Sequence, residues 1–570
     1  MCDLTSVGHR GRSSLDVLPS PVTSPASDVE PAPDALSWPV RPDEEFELLV
    51  AAATEIHRAP APLPGGSTRK RVLPAVLLIG ILTAQACLSV QLLHLDTVFA
   101  DEALYLWAGH MDWAHLIHGM SIPPFATYLS GSPLFYPPIG AIADSIGGLT
   151  GARILSLLFM LSSTGLLWLT ARRLFGLRAA FFATALWAFV GETLRLGAYA
   201  TYDPMACMLL ALAAYVGVRS AQSENRGPHW AMFCAAVLAA ANCTKYATGL
   251  FDPVVVALIV TTAQTVQADR KRAFRLGGIA GGYLAIFLSM LVVIAMTGND
   301  YYSVGIAATT TSRASAGQTA IQVISTAWPV VEILGPIAVL GVAVCLWLER
   351  GSPQRLVIIL LALTGAVAPL SQARIHTSTS LNKHADFGAW FMAIAAGYAI
   401  SALSRGHYFR RAGVTLAAAG AITATVLIGL PFARFADSSW PNTAEVAAVT
   451  KPLLASSRGQ ILFQNPSIAN YDLGRDIGWT SLWKRISGQS SLRLASGKTV
   501  DNAPVGSSGI PGPYIAAIDR GYFQYVVLNN DSADAFDARL IPALYADTHY
   551  VLIGSPPGFL VWGYVPHVSR

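Results

Sequence analysis

This sequence predicts a polytopic α-helical membrane protein with a separate α/β domain at its C-terminal end. Three observations lead there. Of 570 residues, 53% are hydrophobic and only 13% charged, with a mean hydropathy of +0.47, whereas a soluble globular chain carries roughly 25% charged residues. Apolar runs long enough to cross a hydrocarbon layer of roughly 30 Å recur between residues 72 and 431. After Pro431 the chain turns polar, and short β-like runs such as "QILFQ" and "YVVLNN" alternate with helical patterns.

Taken in order, residues 1–68 are rich in Pro, Ser and Ala and read as a largely disordered tail. The first apolar run, Val72 to about Leu95, contains no Lys, Arg, Asp or Glu. It is too long and too far from the start for a signal-peptide core, so it is expected to stay as a membrane span. Basic clusters then recur between apolar runs, at Arg69–Lys70–Arg71, Arg172–Arg173, Arg219, Arg270–Lys271–Arg272, Arg350 and Arg410–Arg411. The loop from Asp96 to Ala152 has no Lys or Arg at all. Basic loops stay on the cytoplasmic side, and alternation across them gives about eleven spans. These are 72–95, 152–171, 179–198, 204–220, 229–244, 247–266, 276–297, 321–348, 355–371, 385–404 and 411–431. The N-terminus is then cytoplasmic. The loop 96–151 within the membrane domain 69–435, and the α/β domain 436–570, lie extracytoplasmic at the plasma membrane.

Composition also excludes. A net charge of +4 gives no support for a nucleic-acid partner, and no phosphate-cradling glycine motif follows a strand. The cysteines Cys87, Cys207, Cys234, Cys243 and Cys345 sit in apolar runs without metal-site spacing. The C-terminal domain has no cysteine and so no disulfide of its own.

Chemistry centres on "TVFADEALYLWAGHM", where Asp101 and Glu102 stand side by side as the chain leaves hydrocarbon. The plain reading is a helix start, since Asp caps well and acids in a first turn complement the helix dipole. Asp203–Pro204 in "ATYDPMACMLL" reads likewise as a cap followed by Pro at the first helical position. Yet both carboxylates fall on one side of the expected topology, as acid–base or metal chemistry requires. Cations on that side are few: Arg153, Arg195, Lys245, Arg313, Arg374 and Lys383. They either snorkel to the interface or recognise an anionic lipid headgroup, and Glu192 with Arg195 reads as an i, i+3 ion pair. His110, His115 and His118 lie in the same loop, where interfacial hydrogen bonding outweighs metal ligation.

The stretch Asp101, Glu102, Tyr105, Pro137–Pro138, Gly151 and Arg153 resembles the opening of the GT-C fold membrane glycosyltransferases. Within them it is similar to the branch of protein O-mannosyltransferases and lipid A aminoarabinose transferase. "TYDPMACML", "CTKYATGLF" and "LNKHADFGAWFMAIAAGY" continue the likeness in the same order. One departure stands out, because Tyr136 occupies the position where the aminoarabinose branch has a Lys before Pro-Pro.

The resemblance implies an enzyme, a glycosyltransferase for a hexosyl or pentosyl group. It would take a polyprenyl-phosphate sugar donor and a polysaccharide, glycolipid or protein acceptor. Asp101, Glu102 and Asp203 are then the catalytic candidates, with Asp101 the base of an inverting displacement. Tyr105, Tyr136, Arg153, Lys245, Arg374 and Lys383 are the candidate substrate contacts. Members of the fold differ in metal use, so a divalent metal cation on Asp101, Glu102 and Asp203 is a second expectation. A membrane transporter or lipid flippase is the alternative function. It would place ionisable groups near mid-membrane, whereas these gather at span ends.

Overall fold

The computed structural model describes residues 68–566 except 130–133, 268, 299, 310–316, 406–407, 439, 490, 494–498, 502–509 and 532–533. The disordered tail expected over 1–68 falls outside these residues but for Thr68, and Arg313 also lies outside them.

Helices dominate from Thr68 to Ser438. In chain order they are α1 (Thr68–Val90), α2 (Ala100–His118), α3 (Phe125–Tyr128), α4 (Tyr136–Phe175), α5 (Leu177–Ala188), α6 (Gly191–Leu196), α7 (Tyr202–Gln222) and α8 (Gly227–Thr244). A 3₁₀ turn (Tyr246–Phe251) leads into α9 (Asp252–Gln267), α10 (Arg270–Gly298), α11 (Asp300–Thr309), α12 (Ala320–Val331) and α13 (Leu334–Leu348). Then come α14 (Gln354–Thr364), α15 (Val367–Arg374), α16 (Leu381–Leu403) and α17 (Tyr408–Ser438).

Every run expected to span is helical, but they do not all cross singly. Among the described residues seven helices are long and apolar enough, and nine if each bent pair counts as one span. Three departures separate this from the expected eleven. The run 179–198 is divided between the 12-residue α5 and the short α6, neither long enough to cross. Its neighbour α8, at 18 residues, carries Asn, His and Pro and is not among the seven. The runs 321–348 and 355–371 bend by 83° and 47° at breaks next to Glu332–Ile333 and Gly365–Ala366.

Burial sorts the spans. The apolar window of α16 is 94% buried, against 17% for α1, α10 and α17. The first is therefore the bundle's central helix and the other three face its periphery, where their exposed Val, Leu and Ile side chains match lipid tails. Close approach to α16 needs small residues, since a side chain on Gly397 would collide with the backbone carbonyl of Ala179 in α5. The long α4 starts on Pro-Pro, where absent N–H groups cost nothing, and kinks at Gly148, whose φ of 62° suits glycine.

The α/β domain bears out the alternation read from sequence. It comprises α18 (Thr443–Ser456), β1 (Gln460–Phe463), α19 (Pro466–Ile477), α20 (Trp479–Trp483), β2 (Ile486–Ser487), β3 (Ser491–Arg493), β4 (Thr499–Asp501), α21 (Pro511–Ile518), β5 (Phe523–Asn529), α22 (Asp537–Ala546), β6 (Tyr550–Gly554) and β7 (Phe559–Tyr564). Five strands form one sheet in the order β2-β1-β5-β7-β6. Its first three strands run parallel, each joined through a helical crossover, and its last two pair antiparallel. Apolar clusters cover both faces, around Tyr514, Phe536 and Trp562 on one and Val446, Leu454 and Leu473 on the other. The domain and the bundle belong to one compact unit, Thr68–Arg570.

Candidate active site

Asp101 and Glu102 part company at the start of α2. The helix is capped by Phe99, so Asp101 is a first-turn residue and not the N-cap the sequence led us to expect. Glu102 turns inward and is fully buried. Its carboxylate accepts from Arg153 Nε at 2.8 Å and Nη2 at 2.7 Å, from the Ala200 amide at 2.6 Å and from the Phe99 amide at 3.0 Å. The last bond is the reach-back half of a capping box. Arg153 gives its remaining donors to the carbonyls of Leu93, Asp96 and Thr97, at 2.6, 3.0 and 2.9 Å. All five guanidinium N–H groups are thereby bonded within the protein.

Asp101 turns the other way, with its side chain 37% exposed. It accepts from Lys383 Nζ at 3.0 Å. Lys383 also lies 3.5 Å from Asp203 Oδ2, and Asp203 pairs in turn with Lys245. The result is a chain of alternating charges, Asp101–Lys383–Asp203–Lys245, from half-exposed to fully buried. Asp203 too sits in the first turn of its helix, behind Thr201, and is not the cap. Lys245 caps the C-terminal end of α8, where a cation complements the dipole. Lys383 stands in the first turn of α16, where the dipole opposes it, and its two carboxylates offset that. The residue before this helix, Ser380, is held at φ 60°, a strained value for a side-chain-bearing residue.

Aromatic rings wall the cluster. Lys245 Nζ lies 4.9 Å from the Tyr202 ring centroid and 5.7 Å from that of Phe387. Tyr105 packs on Tyr202 at 4.5 Å and meets Tyr136 edge-on at 6.4 Å. Burial, reinforced by the Asp101 charge, pushes the Tyr105 hydroxyl well above its ordinary value, so it stays a protonated donor. Tyr136 is fully buried beneath it. Arg374 ends α15 exposed to solvent and makes no ion pair among the described residues. Of the expected site residues, four converge as charges and two as rings, while Arg153 and Glu102 clamp the loop behind them.

The three carboxylates do not fit a shared divalent cation. Glu102 faces away with both oxygens bonded, and the Lys383 ammonium already lies between Asp101 and Asp203. Among the described residues no group of three His, Cys, Asp or Glu is placed to hold a metal.

A second polar knot, which sequence reasoning missed, ties the α/β domain to this region. Asp144 in α4 accepts from His110 Nε2 at 2.6 Å and from Tyr471 at 2.6 Å, and Arg475 pairs with it as well. His110 stacks on Trp479 at 4.9 Å. His110 belongs to α2, so α19 and α20 brace the helix that carries Asp101 directly.

The architecture is that of the GT-C membrane glycosyltransferases. Among solved structures, ArnT from Cupriavidus metallidurans bound to undecaprenyl phosphate matches with a TM-score of 0.56 and 14% identity, over 87% of this chain and 98% of that one. The oligosaccharyltransferase of Archaeoglobus fulgidus matches in its apo form with a TM-score of 0.52 and 14% identity, over 79% of this chain and 69% of that one. AglB from Archaeoglobus fulgidus, in complex with an inhibitory peptide and a dolichol-phosphate, gives 0.53 and 13% over 86% and 74%. At such identities the likeness shows the fold alone. Residues 139–296 match the family model for dolichyl-phosphate-mannose-protein mannosyltransferase, a segment that holds Asp203 and Lys245. No curated protein matches the sequence.

Proposed function

We propose that this protein is an integral membrane glycosyltransferase. It moves a hexosyl or pentosyl group from a polyprenyl-phosphate donor to a polysaccharide, glycolipid or protein acceptor on the extracytoplasmic face. The observation that carries this is the Asp101–Lys383–Asp203–Lys245 chain at the helix ends of a GT-C fold. Two related structures hold undecaprenyl phosphate and a dolichol-phosphate, which supports a lipid phosphate as the donor's carrier.

In the reaction the acceptor oxygen attacks the anomeric carbon, and the bond from that carbon to the phosphate oxygen breaks. The acceptor proton passes to Asp101, the one carboxylate of the cluster open to solvent. Polyprenyl phosphate leaves as an anion, stabilised by Lys245 and Lys383 and needing no strong general acid. Attack from the face opposite the phosphate inverts the anomeric carbon. Lys383 has a double part, because a phosphate that draws it from Asp101 frees that carboxylate to act as base. Asp203 holds both lysines in place, and Glu102 and Arg153 fix the loop from which Asp101 projects.

The test is direct. Purified protein given a labelled polyprenyl-phosphate sugar and an acceptor should release free polyprenyl phosphate. Absence of release across hexosyl and pentosyl donors, with vectorial movement of the lipid instead, would favour a flippase.

A further inference from the structure

Beside the charge chain lies a small pocket lined by Phe99, Glu192, Arg195, Tyr199, Thr201 and Lys383. Glu192 is fully buried there, and its carboxylate accepts no hydrogen bond from any described residue. Its nearest cation, Arg195 Nη1, stands off at 3.6 Å. Thr201, 1% exposed, likewise has a buried hydroxyl without a partner among the described residues. A buried carboxylate left without hydrogen bonds is costly, so two such groups on one pocket point to something that bonds them. Phe99 and Tyr199 meet edge-on at 5.6 Å and give the pocket apolar walls.

We infer that this pocket is a subsite for a sugar hydroxyl, with Glu192 as its acceptor and Arg195 and Lys383 as its donors. The charge pattern selects the ligand. An anion would meet the Glu192 carboxylate, and an ammonium would meet two cations. A hydroxyl both donates and accepts, so it satisfies Glu192, Thr201 and the cations together while its carbon skeleton lies on the rings. Lys383 is also the lysine that holds Asp101, so a hydroxyl bound here lies next to the proposed base. The inference rests on the transferase reading above and adds a specificity element to it.

The hydroxyl belongs either to the transferred sugar or to the acceptor, and one experiment separates them. Full-length protein in nanodiscs is given undecaprenyl-phosphate mannose, bare undecaprenyl phosphate, and methyl α-mannoside as acceptor. If the transferred sugar occupies the pocket, Glu192→Gln should cut the binding preference for the mannosylated lipid over the bare lipid by about tenfold or more, the scale of a hydrogen bond to a charged group. If the acceptor occupies it, the KM for methyl α-mannoside should rise by a similar factor while that preference stays. Thr201→Val, which keeps shape, should move the same quantity less, and it stands in should Glu192→Gln fail to fold. Wild-type transfer with both quantities unchanged in the variants would overturn the subsite alone. Wild-type protein that shows neither preference nor transfer with any hexosyl or pentosyl undecaprenyl phosphate would overturn the transferase reading, and the subsite with it.

Discussion

Glu102 and Arg153 are joined by two parallel hydrogen bonds of 2.8 and 2.7 Å, both side chains almost wholly buried and 51 residues apart in sequence. This pair decides what the acidic doublet does. The carboxylate that looked equivalent to Asp101 closes the loop 96–151 against α4, and its neighbour Asp101 is left partly exposed beside Lys383.

Breaking that pair should cost structure before chemistry. Glu102→Gln leaves a buried guanidinium without its counter-charge, and loss of one partner of a buried pair typically costs about 3–5 kcal/mol. Thermal unfolding of the purified variant should show a clear drop. Arg153→Lys should also destabilise, because an ammonium cannot reproduce five bonds in a plane. A stable, inactive Glu102→Gln protein would instead place Glu102 in the chemistry.

The knot at Asp144 predicts that the α/β domain is held against the bundle by α19. Tyr471→Phe and Asp144→Asn should loosen it, each by roughly 1–3 kcal/mol for a buried polar group left unpaired. Limited proteolysis near Trp440 should quicken, with less effect on melting of the bundle. Unchanged cleavage would mean that the remaining contacts, among them the apolar ones of Tyr471, Trp479 and Trp483 and the Thr443 amide bond to Thr97, hold the domain without the knot.

Sequence reading recovered these relations unevenly. Span positions were legible because apolar run length is a local property, and so was the α/β pattern after Pro431. The number of helices that cross was not, since the bends at Glu332–Ile333 and Gly365–Ala366 carry no local signature as strong as hydropathy. Asp101, Asp203, Lys245 and Lys383, which the structure brings together, were singled out through short motifs. The partner of Asp144 could not be, since Tyr471 and Arg475 are 327 and 331 residues away. Glu192 read as half of a surface ion pair, because the i, i+3 spacing to Arg195 says nothing of burial.

Stability of the α/β domain should fall as pH rises from about 4 to 7. Burial pushes Asp472 and Asp537 up to about 7, from an ordinary 3.8. In that window the folded state holds protons that the unfolded state has released, so raising pH favours unfolding. Melting curves at pH 5 and pH 8 should show the domain weaker at the higher value. Asp472→Asn should flatten the difference, and an equal slope in that variant would remove Asp472 as its source.

Lys245 and Lys383 should serve the donor phosphate. Each →Ala change removes one charge-assisted contact, worth roughly 1.5–3 kcal/mol, or about tenfold to a hundredfold in donor KM. Lys245→Ala should also destabilise, since it strands the fully buried Asp203. Lys383→Ala is the cleaner probe, because Lys245 still neutralises Asp203. Donor saturation unchanged in Lys383→Ala, with normal melting, would return this lysine to a purely structural part.

The sharpest test is Asp101→Asn. Phe99 caps α2, so the amide loses no cap, and the side chain keeps its size and its bond from Lys383. Melting should therefore change by less than about 1 kcal/mol, the scale of an exposed ion pair. An amide cannot take a proton from the acceptor, so kcat should fall by about a hundredfold or more, the usual worth of a general base. Donor KM should change much less, because both lysines remain. If Asp101 only restrained Lys383, the pattern would reverse, with donor KM altered and kcat kept. An Asp101→Asn enzyme that keeps full kcat would mean the proton goes elsewhere.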